Sequence, residues 1–331
     1  MLTVENLTTV VGSTSSASSV LEDVSFTLPA GEVLCVVGES GSGKSMLALT
    51  IMGLLDFPVR RKSGRIVLDG DDLSAGGPAA WRKKRGRDLS MIFQEPMSSL
   101  NPIMCIGDQI GEVLRYRKGM SGDAARGRTI ELLERVEIPS AASRLAAYPH
   151  ELSGGMRQRV MIAIALAAEP KLLIADEPTT ALDVTIQAQI LDLLRDIQAE
   201  SGMALMLITH DLGVVAEMAH RVMVLYAGRV AEVTDVETLF DAPAHPYTQA
   251  LLGSIPSLGR IADRLVTIPG SVPAVGLMPA GCRFAPRCAY AQEPCRSASP
   301  PLAPVGPHQA AACIRPFGYV RPSPAKEAPA S

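Results

Sequence analysis

The sequence has few aromatic residues and no excess of positive charge. Phe, Trp and Tyr make up 4% of its 331 residues, and its formal net charge is −3 at pH 7. Proteins that bind nucleic acid usually present a basic surface, and many stack aromatic side chains on bases. The composition therefore predicts that nucleic acid is not a partner. The basic run at 82–85 is interpreted as a solvated helix face.

Long apolar segments are also missing. No apolar run approaches the ~18 residues that a membrane-spanning helix needs. The longest run, at 160–168, is predicted to lie in a helix and is flanked by charges. The first ten residues alternate and include Glu5, unlike a secretory signal peptide. We therefore expect a cytoplasmic protein for which any membrane role must come through a partner. We also expect a sizeable core, because 47% of its residues are hydrophobic.

The six cysteines include no C-x-x-C pair of the kind found in zinc ribbons. Cys35 and Cys105 lie in apolar stretches and are predicted to be core residues. Four others lie in a proline-rich segment, separated by five, six and seventeen residues: Cys282, Cys288, Cys295 and Cys313. Disulfides are not expected in a reducing compartment. From the residues alone, a [4Fe–4S] cluster, a Zn²⁺ ion and unligated thiols all stay open.

Residues 38–45 match the phosphate-loop pattern G-x-x-x-x-G-K-[ST] without a mismatch. An apolar stretch at 33–37 predicts a strand before this loop, and 46–55 predicts a helix after it. The glycines let backbone N–H groups face phosphate oxygens, and the helix N-terminus adds positive potential. Lys44 is predicted to reach the β- and γ-phosphates and Ser45 to bind Mg²⁺. The predicted nucleotide-binding residues of the loop are Gly38, Glu39, Ser40, Gly41, Ser42, Gly43, Lys44 and Ser45.

A second apolar strand, at 171–175, is followed by Asp176 and Glu177. If this strand lies beside the phosphate loop, Asp176 is placed to bind Mg²⁺. Glu177 points to the opposite side because side chains alternate along a strand. It is then a candidate to polarise a water that attacks the γ-phosphate.

A second anion-binding helix N-terminus is predicted at 152–156, which reads Leu-Ser-Gly-Gly-Met. Its candidate phosphate contacts are Ser153, Gly154 and Gly155. One nucleotide does not need two phosphate cradles in one chain. We therefore predict that this second cradle serves a nucleotide held by another subunit.

Strands alternate with helices along most of the chain, which indicates an α/β fold with a mostly parallel sheet. Alternating residues at 2–10 and 20–28 predict N-terminal strands, and the pattern is helical over an insert of about 96–165. After about residue 255 the composition changes, and 13 of the 25 prolines lie in 269–329. Long helices are excluded there. The predicted units are a nucleotide-binding domain at 1–255, an irregular Cys- and Pro-rich tail at 256–318, and a disordered end at 319–331.

Six motifs occur in the order that is typical of the ATP-binding subunits of ABC transporters. They are the phosphate loop, Gln94 after a strand, residues 152–156, Asp176-Glu177, Ala181-Leu182-Asp183 and Thr209-His210. The chain resembles that family over about residues 1–255. The resemblance implies an ABC-type P-loop core with an N-terminal antiparallel β-subdomain and an inserted helical subdomain. It also implies head-to-tail dimers that sandwich two ATP molecules between phosphate loops and 152–156 segments.

The resemblance implies roles for single residues. Gln94 senses Mg²⁺ and the γ-phosphate, and His210 holds the γ-phosphate and orients water beside Glu177. Ser153 and Gly155 contact the γ-phosphate of the partner's ATP, and Asp183 communicates across the dimer. The catalytic set that follows is Glu177, His210 and Gln94, and the Mg²⁺ set is Ser45, Gln94 and Asp176.

Two positions depart from the family pattern. Met156 stands where many members have Gln, just beyond the Ser-Gly-Gly segment. Most members also carry an aromatic residue near the N-terminus that stacks on adenine, and Val10-Val11-Gly12 has none. Apolar contact by Val11 is the weaker alternative, so base specificity stays open.

The subfamily is indicated by two further stretches. Residues 93–102, Phe-Gln-Glu-Pro-Met-Ser-Ser-Leu-Asn-Pro, and 245–248, His-Pro-Tyr-Thr, resemble the dipeptide/oligopeptide/nickel importer group, as does the tail. The resemblance is to the first, dipeptide-permease-type ATPase subunit, an ATP-hydrolysing enzyme that powers peptide import. In that group the tail cysteines are linked to an iron–sulfur cluster, and Zn²⁺ is the alternative here.

The same resemblance implies partners and a location. The partners are two integral-membrane permease subunits, a second related ATPase subunit and an extracytoplasmic solute-binding protein. The chain then lies peripherally on the cytoplasmic face of the cell's inner membrane. A nickel or glutathione importer is the alternative reading. A non-transport ABC ATPase is less favoured, because the chain has a single cassette and no heptad insert.

Overall fold

The fold is described by a computed structural model for residues 1–13, 17–180, 182–254 and 267–317. The predicted disordered end at 319–331 and Ala181 lie outside the described residues. The strands are β1 (Leu2–Val11), β2 (Ser18–Leu28), β3 (Val33–Val37), β4 (Val59–Leu68), β5 (Asp71–Asp72), β6 (Leu89–Ile92), β7 (Leu172–Asp176), β8 (Ala204–Thr209), β9 (Arg221–Tyr226), β10 (Arg229–Asp235), β11 (Ala303–Gly306) and β12 (Gln309–Ala311).

The helices alternate with these strands over most of the chain. They are α1 (Lys44–Met52), α2 (Gly77–Lys84), α3 (Pro96–Ser99), α4 (Ile106–Lys118), α5 (Gly122–Arg135), α6 (Ala141–Arg144), α7 (Gly154–Leu166), α8 (Val184–Ser201), α9 (Leu212–Met218), α10 (Val236–Asp241), α11 (Pro246–Gly253) and α12 (Glu293–Ser297). One-turn 3-10 helices lie at Pro149–Glu151 and Ala285–Arg287. None of the helices in the described ranges is long and apolar enough to span a bilayer.

The N-terminal strands form an antiparallel sheet in the order β2-β1-β4-β5. Leu2 pairs with Leu28 on one side and Leu68 on the other, and all three side chains are buried. This sheet confirms the predicted antiparallel β-subdomain. Strand β4 begins at Val59, and the basic stretch before Gly64 hides its alternation in the sequence.

The main sheet has the order β11-β12-β10-β9-β3-β8-β7-β6. Strands β9, β3, β8, β7 and β6 are parallel, and every residue of β3, β7 and β8 is buried. Such continuous apolar strands are typical of a parallel sheet covered on both faces. The predicted α/β fold is therefore confirmed. Because parallel strands end at one edge, the segments after β3, β8, β7 and β6 meet there.

Helix α1 begins at Lys44 and ends at Met52, three residues before the predicted end. Gly53 adopts φ 62° and its N–H returns to the carbonyls of Leu49 and Thr50, which closes the helix. A Cβ at Gly53 would lie 2.6 Å from the Trp81 ring, so this position requires glycine. Only the basic end of helix α2 was interpreted as helical from the sequence, and the start of the helix, before Trp81, was missed because its first residues are Gly and Pro.

Helices α3 to α7 lie between β6 and β7 and span 96–166, where the sequence predicts a helical insert. Their buried residues include Ile110, Leu114, Leu132 and Val160, which join the core beside the main sheet. The boundaries of the insert as a separate domain remain a prediction. Arg82 and Lys83 lie exposed on α2, as the interpretation of 82–85 expects, whereas Lys84 and Arg85 are partly buried and Arg85 follows the helix.

The C-terminal tail is less irregular than predicted. Strands β11 and β12 extend the main sheet, with Glu232 of β10 opposite Ala311 of β12. Pro304 conceals β11 in the sequence, yet proline is tolerated on an edge strand because its missing N–H is not needed there. Cys35 is buried as predicted, whereas Cys105 is only partly buried because it precedes α4 at the surface.

Candidate functional site

The phosphate loop lies between β3 and α1 at the edge where the parallel strands end. Gly38 has φ 155°, and a Cβ there would lie 2.2 Å from the carbonyl oxygen of Leu225. Gly43 has φ 104° and caps α1. Other residues rarely adopt either conformation. The glycines of the pattern are therefore required by the path of the backbone.

Lys44 is buried across this loop. Its Nζ donates hydrogen bonds to the carbonyl oxygens of Gly38 at 2.7 Å and Glu39 at 3.1 Å. Burial lowers the pKa of Lys44, and the carboxylates of Glu177, Asp176 and Glu39 oppose that change. The ammonium group is thus held at the loop with carboxylates on its far side.

Asp176 ends β7, and only 4% of its surface is exposed. The Ser45 hydroxyl hydrogen-bonds its carboxylate, while Oδ1 has no hydrogen-bond partner among the residues that the structure describes. Burial raises the pKa of Asp176, and the Ser45 bond opposes this change. A buried carboxylate oxygen without a partner is a ready ligand for a hard cation such as Mg²⁺. Ser45 and Asp176 therefore fit a metal site.

Glu177 follows β7 and is the centre of a hydrogen-bonded group. Its carboxylate lies 3.2 Å from Gln94 Nε2, 3.3 Å from His210 Nδ1 and 2.9 Å from Thr180 Oγ1. The structure thus brings together the three predicted catalytic residues. Glu177 also has φ 46°, held by a 2.9 Å hydrogen bond from its N–H to the Ile208 carbonyl. Strained backbone of this kind is concentrated at functional sites.

Thr180 was missed by the sequence analysis. It lies three residues beyond Glu177, and its N–H also bonds the Glu177 carbonyl at 3.2 Å. A hydroxyl residue just after an Asp-Glu-Pro turn was the available signal. Thr180 fixes the orientation of the Glu177 carboxylate together with Gln94.

Ser153, Gly154, Gly155 and Asp183 gather at a different place. Ser153 Oγ accepts the Met156 N–H at 3.3 Å at the start of α7, and Asp183 Oδ1 accepts the Ile186 N–H at 2.9 Å at the start of α8. These residues line a surface cavity of about 600 Å³. None of the residues that line this cavity belongs to the phosphate loop. The two predicted cradles are therefore separate in this chain.

Met156, which replaces the usual Gln, is partly buried against the core of the helical region. At the other departure, Val11 pairs with Ser18 at the end of the N-terminal sheet, and Gly276 of the tail lies against Ser18. Residues 14–16, between the two strands, lie outside the described ranges. Apolar contact with a base by Val11 therefore stays a prediction.

The four tail cysteines line one cavity of about 830 Å³. The N–H of Cys282 donates to the carbonyl of Cys295 at 2.8 Å, and Phe284, Tyr290 and Phe317 complete the wall. Burial raises the pKa of three of these thiols, those of Cys282, Cys288 and Cys313. No group of three or more His, Cys, Asp or Glu side chains that could hold a metal ion is found within the described ranges.

His245 lines the same cavity, but its ring already forms hydrogen bonds within the chain. Its Nδ1 accepts the Tyr247 N–H at 3.0 Å, and it is hydrogen-bonded to the backbone of Ala312. Burial lowers the pKa of His245 to about 4, so the ring is neutral at pH 7. It serves as the N-terminal cap of α11.

Comparison with known proteins identifies the family. Residues 21–180 match the family described as ABC transporter, and 231–295 match that described as Oligopeptide/dipeptide transporter, C-terminal region. A relative from Brucella ovis is 51% identical over 331 residues, which covers 95% of this chain and 97% of the relative. The chain belongs to the ABC transporter family. A second relative, from Brucella suis, is 50% identical over 306 residues, which covers 92% of this chain and 92% of the relative. The names of both contain the words peptide import ATP-binding protein.

Solved structures agree with this family. A dimeric ATP-binding cassette in a post-hydrolysis state, bound to ADP and phosphate, is 29% identical with a TM-score of 0.64. The match covers 71% of this chain and 99% of that one. The cbiO1 protein of Clostridium perfringens, part of an ABC transporter complex, is 29% identical with a TM-score of 0.61 over 73% and 90% of the two chains. The ABC cassette fold is thereby confirmed.

Proposed function

We propose that this protein is the ATP-hydrolysing subunit of a peptide importer and that ATP closes it against a second cassette. The convergence of Gln94, Thr180 and His210 on Glu177 beside Lys44 supports hydrolysis more than any other observation. A protein that only binds nucleotide has no need of this arrangement. The full-length relatives that share the C-terminal region, and whose names refer to peptide import, support the transport role.

In the proposed ATP site, the loop N–H groups and Lys44 bind the β- and γ-phosphates. Ser45, Asp176 and Gln94 would hold Mg²⁺ at this site. The unpaired Oδ1 of Asp176 supports the metal site, because a cation or its water would satisfy it. Bound Mg²⁺ neutralises charge that develops on the phosphates.

Hydrolysis then needs a base and an aligned water. The Glu177 carboxylate accepts a proton from water, the water oxygen bonds to the γ-phosphorus, and the bond to the β–γ bridging oxygen breaks. His210 holds the γ-phosphate and orients that water. The products are ADP and phosphate. Gln94 and Thr180 both donate to Oε2 of Glu177, and His210 lies 3.3 Å from Oε1, which is the side on which it would orient the water.

The second cassette completes the site. Ser153, Gly154 and Gly155 lie at the N-terminus of α7, where N–H groups without helical partners can bind an anion. Since they are separate from the phosphate loop of the same chain, we propose that they contact ATP held by the other cassette. Asp183, which caps the adjacent helix α8, relays the state of one site to the other. The partner in this proposal is a related but distinct ATPase.

The membrane partners are two permease subunits, fed by an extracytoplasmic solute-binding protein. The cassette binds peripherally to them at the cytoplasmic face of the inner membrane. Peptides are the proposed solutes; nickel and glutathione are the alternatives. The test is reconstitution of the complete transporter in vesicles. We expect ATP hydrolysis to rise when a peptide-loaded binding protein is added, and no response to any of the three solutes would reject the importer proposal.

The four cysteines of the tail are proposed to hold a [4Fe–4S] cluster. They line a single cavity, and thiolates are the usual ligands of such clusters. A single Zn²⁺, the alternative, needs four sulfur atoms about 2.3 Å from one point. The described side chains, as they are arranged, form no ready site for either kind of metal. A cluster would supply a covalent staple for a tail with little core of its own.

This proposal is tested on protein purified without oxygen. We expect iron and sulfide in equal amounts and a brown absorbance near about 400 nm. Replacing Cys288 by Ser should remove both. Zinc in place of iron would favour the alternative, and protein with neither metal would reject both.

A further inference from the structure

The C-terminal tail contacts the phosphate loop directly. Arg287 Nη1 donates to Glu39 Oε2 at 2.7 Å, and Nη2 donates to Glu39 Oε1 at 2.9 Å. The two residues are 248 positions apart, and Glu39 is the second residue of the loop. Only 5% of the Arg287 side chain is exposed. The Glu39 side chain is 28% exposed, and a bidentate pair with a buried guanidinium group is more directional than a fully exposed ion pair.

The guanidinium group is fixed by further contacts. Its Nε donates to the carbonyl of Pro269 at 2.7 Å, Nη2 to that of Ile268 at 3.3 Å, and Nη1 to the Tyr226 hydroxyl at 3.3 Å. The same group lies 5.8 Å from the centre of the Tyr226 ring. With every nitrogen engaged, Arg287 presents one orientation to Glu39.

Glu39 is also held through its backbone. Its N–H donates to the Tyr247 hydroxyl at 2.8 Å. The Tyr247 ring packs against those of Tyr226 at 4.6 Å and Phe284 at 5.3 Å, and Phe284 belongs to the tail. The loop is therefore attached to the tail by its side chain and to a tail-supported helix by its backbone.

We propose that Arg287 is a positioning residue for ATP: it holds Glu39 and thereby keeps the phosphate loop in its nucleotide-binding conformation. The inference rests on the proposed function in that the loop binds ATP. A loop that is already ordered binds with less loss of conformational entropy than one that must be ordered by the ligand. Loss of Arg287 therefore weakens ATP binding, while Glu177 and His210 remain in place.

Arg287 also stands on the one-turn helix that separates Cys282 from Cys288. The N–H of Cys288 bonds the Ala285 carbonyl at 3.3 Å, and the Arg287 N–H bonds that of Phe284 at 2.9 Å. The cysteine region and the phosphate loop are thus linked through a single turn of chain.

The test compares full-length variants by calorimetric titration with MgATP, by steady-state hydrolysis and by thermal unfolding. For Arg287→Gln we expect the Kd and KM for MgATP to rise about 10-fold, with kcat changed less than twofold. Arg287→Lys should recover only part of the affinity, because an ammonium group cannot form the bidentate pair. Glu39→Gln should match Arg287→Gln, and the double variant should be no worse than either single variant.

Gln309→Ala is the matched control. Gln309 also attaches the tail to the core, through Glu232 at 2.8 Å and the Ala242 carbonyl at 2.9 Å, but it does not touch the loop. We expect this variant to lower the unfolding temperature without raising the Kd for MgATP. If Arg287→Gln behaves like this control, the positioning role is wrong and Arg287 is a structural anchor.

Failure of the proposed function would look different. A parental chain that does not bind MgATP overturns the proposed ATP site itself. A parental chain that binds MgATP, together with an Arg287→Gln variant of equal affinity, overturns only the inference about Arg287. Additive effects of the Glu39 and Arg287 substitutions would also overturn it, because independent residues give additive changes.

Discussion

The phosphate-loop end and the Ser153–Gly155 end of this cassette are built in different ways. At the loop end, Lys44, Asp176, Glu177 and His210 lie at or just beyond the ends of three neighbouring strands, and the tail contacts the phosphate loop at Glu39. At the other end, Ser153 and Asp183 cap two helices around an open cavity of about 600 Å³. Glu137 and Asp183 also line this cavity, but Asp183 accepts the Ile186 N–H and Glu137 pairs with Arg159.

This difference indicates a division of labour. The loop end carries the strained backbone and the group of polar side chains around Glu177, whereas the two carboxylates at the Ser153–Gly155 end are already paired. In our proposal each end is half of a site, which agrees with the absence of phosphate-loop residues from the cavity lined by Ser153, Gly154 and Gly155. The comparison would fail if a substitution at one end changed the property assigned to the other end, for example if a substitution at Gly155 weakened MgATP binding by the isolated chain.

The largest effect is expected at Glu177. Replacement by Gln keeps the hydrogen bonds from Gln94 and Thr180 possible but removes the proton acceptor. Loss of a general base typically costs 10² to 10⁴ in rate, so we expect kcat to fall about 1,000-fold. MgATP binding should remain, and closed dimers should accumulate. Phosphate release and size-exclusion chromatography measure the two outcomes.

The matched control for this substitution is Glu134→Gln. Glu134 is an exposed acid on α5, and its replacement removes the same charge without touching the site. It should hydrolyse ATP at the parental rate. Parental hydrolysis by Glu177→Gln as well would show that Glu177 is not the base.

A smaller loss is expected for Gly155→Asp. An acid at a helix N-terminus favours the helix, so α7 should fold, although Ile186 must move because a Cβ at Gly155 lies 3.0 Å from its Cγ2. The added charge repels the phosphate of a second cassette. We expect kcat to fall about 100-fold with the Kd for MgATP unchanged, since this loss is about 2.7 kcal/mol of lost binding in the closed state.

Gly127→Asp provides the comparison. Gly127 lies in α5 with nothing within 4 Å of its added Cβ, so the same charge is introduced at an open position. Its hydrolysis rate should stay parental. A higher Kd for MgATP in the isolated Gly155→Asp chain would show that Gly155 contacts the nucleotide of its own chain, which would contradict the proposal.

The tail that braces the loop end can be weakened at Phe284. This ring is buried and packs edge-on against Tyr226 at 5.2 Å. Phe284→Leu removes the ring pairs and leaves space, which should lower the free energy of unfolding by about 2 kcal/mol. We also expect MgATP affinity to fall, because Phe284 packs against Tyr226 and Tyr247, which contact Arg287 and Glu39. Phe240→Leu, at a ring that is 36% exposed, should change neither by a comparable amount.

Much of the loop end was predictable from the sequence. The spacing of Gly38, Gly43 and Lys44 is set by backbone geometry and phosphate chemistry, both of which are local. The order of the strands was not predictable, and that order places Gln94 and His210 on either side of Glu177. The three residues were predicted to act together only through the resemblance to ABC proteins.

The attachment of the tail was not predictable at all. Arg287 and Glu39 are separated by most of the chain, and neither residue stands in a pattern that names the other. The high proline content led us to expect an irregular tail. The preferences of single residues cannot show that β12 pairs with β10, because that pairing joins distant parts of the chain. The interpretation of the tail cysteines suffers from the same limit, since four unevenly spaced thiols do not indicate one cavity until the fold closes around them.

The smallest effect is expected at Asp183, where capping and communication can be separated. Asp183→Ala removes the cap of α8 and should lower the free energy of unfolding by about 1 kcal/mol, whereas Asp183→Asn keeps a capping oxygen and should not. If the carboxylate charge also relays between sites, hydrolysis falls several-fold in both variants. Asp235→Ala removes an equivalent cap from α10, where Asp235 accepts the Thr238 N–H at 2.8 Å, and should cost stability without slowing hydrolysis. A parental hydrolysis rate in Asp183→Asn would show that Asp183 acts only as a helix cap. The Ser153–Gly155 end would then contact ATP without a signal passing through Asp183 to the other site.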